Sequence, residues 1–242
     1  MTEDEKKYLM QLAGELQKMK YEIEAINQRL PSKVKLVNSL DELKEGIVLV
    51  DFYSDYCVPC FQLQPAIEKV AEEFDSQVKF IRINIEKTKE ATESFDIRAI
   101  PLVVVLKDGK VIQKLEGSPR HKRADIIRWM VQRAFVPQNE WDKTYRIVSK
   151  VAKAKGWHLN PDVHIREGLI TALTYNRIKY NAYYCPCKAE HIRENICPCH
   201  EVEGKYIGAE KMIGKQGLCY CGLFCSDEYL EAWNKAKEGV II

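Results

Sequence analysis

The chain has 242 residues, and at roughly 150 residues per domain this length fits two small domains better than one large one. Its 46% hydrophobic and 30% charged residues lie near globular averages, which excludes wholesale disorder and fibrous repeats. The formal net charge of +2 is too small to favour nucleic acid or an anionic membrane as a partner.

Hydropathy argues against a membrane-spanning or secreted protein, and the distribution of cysteines indicates the kind of chemistry. The longest apolar run, residues 99–106, is far shorter than the ~20 residues of a membrane-spanning helix, and the N-terminus is charged where a signal segment would be apolar. We therefore expect a cytoplasmic protein. The nine cysteines comprise a pair at 57 and 60 and seven between 185 and 225, an odd and clustered set that indicates metal or redox chemistry.

The first segment, residues 1–31, predicts an amphipathic helix. Its apolar residues alternate three and four positions apart and so share one helical stripe. They are Leu9, Leu12, Leu16, Met19, Ile23, Ile26 and Leu30. The stripe over residues 1–30 either dimerises the protein as a short coiled coil or packs on its own chain, since three heptads are marginal alone.

The second segment, residues 32–137, alternates short strands with helices. The strand-like runs are Ile47–Tyr53, residues 78–85 and residues 102–106, and the helix-like runs are residues 65–74 and 124–135. Asp108-Gly109 between two β-rich runs indicates a hairpin. We predict an α/β domain with a mixed central sheet.

A cysteine pair lies where the strand Ile47–Tyr53 gives way to a helix. In Cys57-Val58-Pro59-Cys60, the first thiol is placed at a helix N-terminus, where the helix dipole favours the thiolate. A C-x-x-C pair alone could equally be half of a zinc site, so the surrounding residues have to decide between redox and metal chemistry.

Those surroundings are VDFYSDYCVPC, then INIE, then Ile100-Pro101 before a strand, then KDGKVI, and together they closely resemble thioredoxin over roughly a hundred residues. The resemblance implies a thioredoxin fold, with Cys57 as the exposed nucleophile and Cys60 as the resolving thiol. It also implies that Asp51 is the buried carboxylate beneath them and that Pro101 is the cis-proline facing the disulfide.

Two positions depart from the thioredoxin pattern. Tyr56 replaces the usual Trp and Val58 the usual Gly, and such residues tune thiol acidity, so the family potential of about −270 mV is only a guide. The alternatives are that Asp51 is a satisfied structural carboxylate and that Pro101 is an ordinary trans proline.

The third segment, residues 140–242, is predicted to be a small, mainly helical domain. Residues 141–155 form a helix that ends at Gly156, Pro161 opens a second helix, and Ser226 caps a last one. The seven remaining cysteines all belong to this segment.

Six of these cysteines form three C-x-C pairs. The pairs are Cys185-Pro186-Cys187, Cys197-Pro198-Cys199 and Cys219-Tyr220-Cys221. Zinc sites favour two residues between paired ligands, so a zinc ribbon is disfavoured. A cubane iron–sulfur cluster takes four thiolates, which leaves two cysteines for one redox disulfide.

The triple C-x-C pattern, followed by Gly-Leu-Phe, resembles the catalytic subunit of ferredoxin:thioredoxin reductase over about residues 157–233. The resemblance implies that Cys187 is the interchange thiol and that Cys221 is held against a [4Fe-4S] cluster. The four implied iron ligands are Cys185, Cys197, Cys199 and Cys219.

The chain also departs from this second family. The family pattern has His where this chain has Tyr220, so another group would have to carry the proton. His191 or His200 could do so, since imidazole titrates near neutrality, or both could be solvated loop residues. Cys225 has no counterpart in the pattern and is interpreted as a small core residue.

Together the resemblances predict a disulfide reductase that takes single electrons from a ferredoxin-type donor. The electrons would pass through the [4Fe-4S] cluster and the Cys187/Cys221 dithiol to the disulfide of the attached thioredoxin or a separate one. Delivery to the attached domain could be in cis or, in a dimer, in trans. The alternatives are a reductase that passes electrons onward to another disulfide, and a redox-regulated binding protein with a structural zinc or iron–sulfur module.

A basic run on the helix before the cysteines has two interpretations. It contains Lys143, Arg146, Lys150, Lys153 and Lys155, with no acidic residue between Lys143 and Asp162. The run is either a docking surface for an acidic ferredoxin or a solvated helix face.

Overall fold

The computed structural model describes residues 32–199, 201–202 and 205–238, together with eight residues within 6–18; of residues 201–207 only the backbone is described. The eight N-terminal residues are helical and exposed, in agreement with the predicted N-terminal helix. All seven apolar residues of the predicted stripe lie outside the described residues, so dimerisation through them stays a prediction. None of the described helices is long and apolar enough to cross a membrane.

One five-stranded sheet forms the centre of the α/β domain (residues 34–133). Its strands are β1 (Val34–Val37), β2 (Ile47–Tyr53), β3 (Lys79–Asn84), β4 (Leu102–Lys107) and β5 (Lys110–Glu116), in the order β1-β3-β2-β4-β5. β1, β2 and β3 are parallel, while β4 is antiparallel to β2 and β5 is antiparallel to β4. Asp108 and Gly109 connect β4 to β5 with φ of 49° and 73°. The predicted mixed sheet and hairpin are therefore confirmed.

Helices cover both faces of this sheet. They are α1 (Val58–Phe74), α2 (Lys89–Phe95) and α3 (Arg123–Arg133). α1 and α3 pack on the face of Leu49 and Val103, whereas Ala91 of α2 packs on the face of Val50 and Val104. Because β2 and β4 are covered on both faces, they are apolar almost without interruption, which made them recognisable in the sequence.

α1 begins directly after Cys57, as predicted, and it continues through Pro65. The run of helical spacing recognised in the sequence, residues 65–74, is therefore only the second part of a helix that begins at Val58. Proline lacks an N–H and usually begins or breaks a helix. Here Leu63 and Ile67, on either side of Pro65, are buried against the sheet, and this burial keeps the helix continuous.

The cysteine domain (residues 138–238) is mainly helical, as predicted. Its helices are α4 (Gln138–Lys155), α5 (Val163–Tyr180), α6 (Ile207–Gln216) and α7 (Asp227–Glu238). Two short antiparallel pairs complete it, β6 (His158–Leu159) with β9 (Phe224–Cys225), and β7 (Glu201–Val202) with β8 (Lys205–Tyr206).

The helix ends of this domain follow local capping groups. α4 ends at Gly156, whose φ of 66° suits glycine. Pro161 does not open α5: the carboxylate of Asp162 accepts hydrogen bonds from the N–H groups of residues 164 and 165, so the helix begins after Asp162. Ser226 accepts a hydrogen bond from the Tyr229 N–H and caps α7, as predicted.

The two domains are joined by an interlocked interface. α3 of the α/β domain packs along α5 of the cysteine domain. Trp129 of α3 is only 7% exposed and belongs to the apolar core of the cysteine domain. In the opposite direction, the Tyr175 ring of α5 lies 6.3 Å from the Phe74 ring and 6.0 Å from the Phe135 ring. Each domain thus buries an aromatic side chain of the other.

We predict that Gly168→Ala loosens this interface. A Cβ atom at Gly168 would lie 2.1 Å from Cε3 of Trp129, so the indole ring would have to move. We expect a loss of about 1–3 kcal/mol from overpacking, which exceeds the gain of up to about 1 kcal/mol from helix propensity. Urea unfolding followed by far-ultraviolet circular dichroism measures the change.

Gly214→Ala is the matched control, because a Cβ atom at Gly214 of α6 would meet no other atom within 4 Å. It should leave stability unchanged or raise it slightly. The interface interpretation is wrong if the two variants unfold at the same urea concentration.

Candidate functional site

The Cys57–Cys60 pair lies at the N-terminus of α1. Cys57 is the N-cap residue, and the N–H of Cys60 lies 3.2 Å from its Sγ. The two sulfurs form a disulfide. Cys57 retains 9% exposure whereas Cys60 is fully buried, so Cys57 is the accessible sulfur of the pair, although less exposed than the resemblance implied. A thiolate released at Cys57 would face the positive end of the helix dipole.

The surroundings of Cys57 are apolar and open to solvent. Tyr56 is 85% exposed and Val58 is 63% exposed. Ile100, which precedes Pro101, packs against the cluster of Tyr53 and the two cysteines. The peptide bond before Pro101 is cis, as the resemblance implied.

Asp51 lies on β2 and is completely buried. Alternation along the strand puts it on the same face as Leu49 and Tyr53, which is the face covered by α1. Its register partner on β3 is Arg82, whose Nε lies 2.9 Å from Oδ2 of Asp51. No described residue makes a hydrogen bond of good geometry to the carboxylate, so the attraction to Arg82 is mainly coulombic.

Burial raises the pKa of Asp51 to about 6, and the charge of Arg82 opposes that rise. Arg82 is itself held by a 2.7 Å hydrogen bond to Gln64 Oε1 and by the Tyr53 ring, whose centroid is 3.9 Å from the guanidinium carbon. Sequence reasoning missed Arg82. The available signal was a charged residue inside the otherwise apolar strand β3.

The three C-x-C pairs are brought together by backbone hydrogen bonds. The N–H of Cys185 donates to the Asn195 carbonyl (2.7 Å), and the N–H of Cys197 donates to the Tyr183 carbonyl (2.8 Å), which aligns the first two pairs side by side. The third pair lies in a tight loop in which the N–H of Cys219 donates to the Phe224 carbonyl (3.0 Å). α6 and β9 support this loop.

All four predicted iron ligands line one small cavity. Cys221 lines the same cavity, together with Pro198, Ala209 and Phe224. The ligand cysteines concerned are Cys185, Cys197, Cys199 and Cys219. Thiolates are the ligands that iron–sulfur clusters take, and an apolar lining excludes water from them. The donor set therefore fits a [4Fe-4S] cluster.

The arrangement of donors is not that of a single-ion site. Among the residues that the structure describes, no group of three or more His, Cys, Asp or Glu side chains is placed to hold one metal ion. In a cubane cluster each of four irons takes one thiolate, so the ligand sulfurs surround a volume instead of converging on a point.

The two remaining thiols of the pattern differ in exposure. Cys187 is exposed, and its Sγ lies 3.1 Å from Sγ of Cys185. Cys221 is buried, with its Sγ 3.7 Å from Sγ of Cys219. Hydrogen bonds from the Cys185 and Cys219 thiols lower the pKa of Cys221, and the charge of Lys122 lowers it further. The contact with Cys185 lowers the pKa of Cys187.

The other residues singled out in this domain are placed as follows. His191 is exposed, and its ring centroid lies 3.9 Å from that of the Tyr180 ring. His200 lies outside the described residues. Tyr220 is 46% exposed, with the Lys188 ammonium 4.5 Å above its ring. Cys225 is fully buried on β9, outside the cavity lining, which agrees with a core role.

The basic run on α4 is partly neutralised. Lys143 pairs with Glu140 at 2.5 Å, and Lys155 pairs with Glu210 of α6 at 3.0 Å. Lys150 and Lys153 are exposed.

Comparison with known proteins identifies a family for each domain. The thioredoxin family model matches residues 33–132, and the model described as ferredoxin thioredoxin reductase catalytic beta chain matches residues 136–241. The thioredoxin of Rickettsia bellii (strain RML369-C) is 36% identical over 83 residues, which are 34% of this chain and 77% of the relative. The thioredoxin of Bacillus subtilis (strain 168) is 33% identical over 87 residues, 36% of this chain and 84% of the relative.

Among solved structures, the solution structure of the oxidised thioredoxin from Plasmodium falciparum is similar to part of this chain. It is 27% identical, covers 39% of this chain and 94% of its own, and has a TM-score of 0.36.

We predict that Asp51→Asn changes the pH dependence of stability. The folded pKa of about 6 is above the ordinary value of 3.8, so folded Asp51 keeps its proton while the unfolded chain loses it, and stability falls as pH rises between these values. The variant avoids this loss and should be more stable than the parent by up to about 3 kcal/mol near pH 7, with almost no difference near pH 4. Urea unfolding of the oxidised chain at both pH values measures it.

Asp55→Asn is the control, because the Asp55 side chain is 43% exposed and lies 3.6 Å from Lys87. It should change stability little at either pH. If Asp51→Asn raises the free energy of unfolding equally at both pH values, the raised pKa of Asp51 would be contradicted.

Proposed function

Because the chain belongs to the thioredoxin family and continues into a domain of the ferredoxin thioredoxin reductase catalytic beta chain family, we propose that it reduces a thioredoxin disulfide with single electrons from a ferredoxin-type donor. The observation that supports this best is the division of labour among the cysteines. Four line a small cavity with Cys221, while Cys187 is exposed outside the lining, with its Sγ 3.1 Å from that of Cys185. A purely structural metal module has no need for an exposed thiol beside its ligands.

In this proposal Cys185, Cys197, Cys199 and Cys219 hold a [4Fe-4S] cluster. When bound, the cluster would supply electrons one at a time to the neighbouring Cys187–Cys221 disulfide and return it to the dithiol. From about −400 mV for a plant-type ferredoxin to about −270 mV for thioredoxin, two electrons release roughly 6 kcal/mol, so the direction is toward reduced thioredoxin.

The protein's own thiols perform the disulfide exchange. The Cys187 thiolate attacks Sγ of Cys57, a mixed disulfide forms, and Cys60 leaves as a thiolate. The Cys221 thiolate then attacks Cys187 and releases Cys57. The products are the Cys57/Cys60 dithiol and the Cys187–Cys221 disulfide. Asp51, on the strand face beneath α1 and with a pKa of about 6, is the group proposed to exchange a proton with this dithiol.

We predict about one [4Fe-4S] cluster per chain in anaerobically prepared protein. Cys219→Ser should lose the iron, because Cys219 lines the cavity and each ligand holds one iron of the cluster. Iron and sulfide analysis with the visible absorption spectrum measures this. Protein that contains about one zinc and no iron would contradict the ligand assignment and favour a structural metal module.

Two variants are matched controls for the ligand assignment. Cys187→Ser should keep the iron and lose thioredoxin reduction, because Cys187 is exposed outside the cavity lining. Cys225→Ala should keep both, because Cys225 lies on β9 with its Sγ directed at the Leu159 carbonyl. Loss of iron in Cys187→Ser would refute the separation of ligation from attack.

The donor is proposed to dock beside Lys150 and Lys153. Lys153 lines an open groove together with Trp157, at the end of α4. The Trp157 ring lies 5.5 Å from the Phe224 ring, and the Phe224 N–H lies 3.3 Å from Sγ of Cys219. One aromatic pair therefore separates this basic surface from a proposed iron ligand.

We predict that Lys150→Glu with Lys153→Glu slows reduction by an acidic ferredoxin. The reversal of charge lowers the rate of encounter at low salt, and the effect should vanish as salt shortens the Debye length from about 10 Å to about 3 Å. Stopped-flow measurement with a ferredoxin and with a small neutral donor separates docking from damage to the cluster.

The control is Lys69→Glu with Lys110→Glu, two exposed lysines of the α/β domain whose reversal gives the same net charge. Equal slowing in both double variants would mean that net charge, and not a docking surface on α4, controls the rate.

A further inference from the structure

Lys122 of the α/β domain reaches across the domain interface to a redox residue of the cysteine domain. Its ammonium Nζ donates a 3.1 Å hydrogen bond to the backbone carbonyl of Cys221. Lys122 is the N-cap residue of α3 and has a φ of 54°, a conformation that non-glycine residues adopt rarely. The lysine is therefore held in an unusual backbone position from which it contacts the other domain.

The loop that Lys122 contacts, the Cys221 loop (residues 219–224), is bonded at three successive carbonyls. Beyond the Cys221 carbonyl, the Gly222 carbonyl accepts from Nδ2 of Asn160 (2.6 Å), and the Leu223 carbonyl accepts from the Asn160 N–H (2.8 Å). Asn160 belongs to the cysteine domain itself. Asn160 of the cysteine domain thus already orders the Cys221 loop, and Lys122 adds a charged donor from the α/β domain.

The contact lies at the disulfide end of the α/β domain. β2 ends at Tyr53, four residues before Cys57, and the start of β4 lies beside that end of β2. Gly117, which follows β5, is at the same end of the sheet, because its N–H donates to the carbonyl of Pro101, just before β4 (2.8 Å). α3 starts a few residues beyond Gly117, and Arg123 in its first turn donates to Ser118 Oγ (3.2 Å). α3 therefore begins at the edge of the sheet that carries the Cys57–Cys60 disulfide.

Neither reactive thiol is covered by the domain interface. The interface is formed by Trp129, Tyr175 and their neighbours along α3 and α5, whereas Tyr56 beside Cys57 is 85% exposed. Cys187 is likewise exposed. Cys187 is thus open to solvent, while Cys57 keeps 9% exposure and packs with Tyr53, Cys60 and Ile100, all of them residues of the α/β domain.

We propose that the Cys57–Cys60 disulfide is reduced within one chain, and that Lys122 is a positioning residue that holds the Cys221 loop at the disulfide end of the α/β domain. The inference rests on the proposed function and specifies its substrate as the attached domain. Cys187 forms a bond to Cys57 of its own chain as Cys60 leaves, and Cys221 then displaces Cys57, so that one disulfide is consumed and one is formed.

Isotope mixing of a trapped intermediate tests whether the reaction is intrachain. In the Cys60→Ser chain, the Cys57 thiolate attacks the Cys187–Cys221 disulfide, so the Cys57–Cys187 bond forms as Cys221 leaves, and the exchange itself needs no oxidant. Iron-loaded Cys60→Ser chains with normal and heavy nitrogen are first reduced, freed of reductant and mixed as monomers in equal amounts. One equivalent of diamide, a two-electron thiol oxidant, then re-forms the Cys187–Cys221 disulfide in a rapid first step and starts the exchange. Non-reducing peptide mass spectrometry then identifies the linked pairs.

We expect linked peptides that are both light or both heavy, at a rate that does not change on dilution. Pairs of one light and one heavy peptide would overturn intrachain transfer and leave the proposed reductase function intact. Absence of any Cys57–Cys187 link would overturn both, so the two failures are distinguishable.

Substitution of Lys122 tests the positioning role. Lys122→Met should slow the intrachain link about tenfold, as expected for loss of a charged hydrogen bond, and Lys122→Arg should restore most of the rate. Attack on the Cys187–Cys221 disulfide by dithiothreitol should slow much less than the intrachain link, because Lys122 also faces the departing Cys221 thiolate but a small thiol does not depend on the placement of the domains. Hydrogen exchange of the Cys221 loop should rise in Lys122→Met.

Lys114→Met is the matched control, because Nζ of Lys114 donates to the Phe95 carbonyl within the α/β domain (3.0 Å). It should leave the rate of linking unchanged. The positioning role is overturned if Lys122→Met links at the parental rate, or if it slows the dithiothreitol reaction as much as the intrachain one.

Discussion

The mutual burial of Trp129 and Tyr175 across α3 and α5 is the interaction on which the arrangement of both redox sites depends. Aromatic side chains of this size bury about 150–250 Å² each, so two of them supply several kcal/mol to the contact. Gly168 is needed because the Trp129 ring occupies the space of a Cβ atom there. Since α3 starts at the disulfide end of its sheet, a partner fastened to α3 is also placed near that end.

Burial separates the roles of chemically identical thiols within the cysteine domain. Cys221 and the four proposed ligands line a cavity in which apolar walls exclude water, while Cys187 faces solvent. A sulfur that must attack a protein disulfide has to be accessible, and a sulfur that must wait beside a cluster has to be protected. Only the first C-x-C pair is divided in this way, since Cys185 lines the cavity and Cys187 is exposed, whereas both members of the other two pairs line the cavity.

Beneath Cys57 and Cys60, the constraint is the cost of burying the charge of Asp51. A carboxylate buried on β2 is costly in charged form, and Arg82 on the adjacent strand offsets part of that cost. Arg82 can be buried there because Gln64 accepts its hydrogen bond and Tyr53 covers its plane. The result is a carboxyl whose pKa of about 6 lies close to neutrality, where a proton can be gained or lost during a thiol reaction.

The sequence alone was sufficient for the mixed sheet, the hairpin at Asp108-Gly109, the helix start at Cys57 and the grouping of the C-x-C cysteines, because each follows from residues close together in the chain. Burial against the sheet carried α1 through Pro65, and the pairing of Asp51 with Arg82 depended on strands that are distant in sequence. The contacts of Lys122 with Cys221 and of Trp129 with Gly168 were decided by tertiary structure alone. They join surfaces of two separately folded domains, and no periodicity or local spacing encodes which surfaces meet.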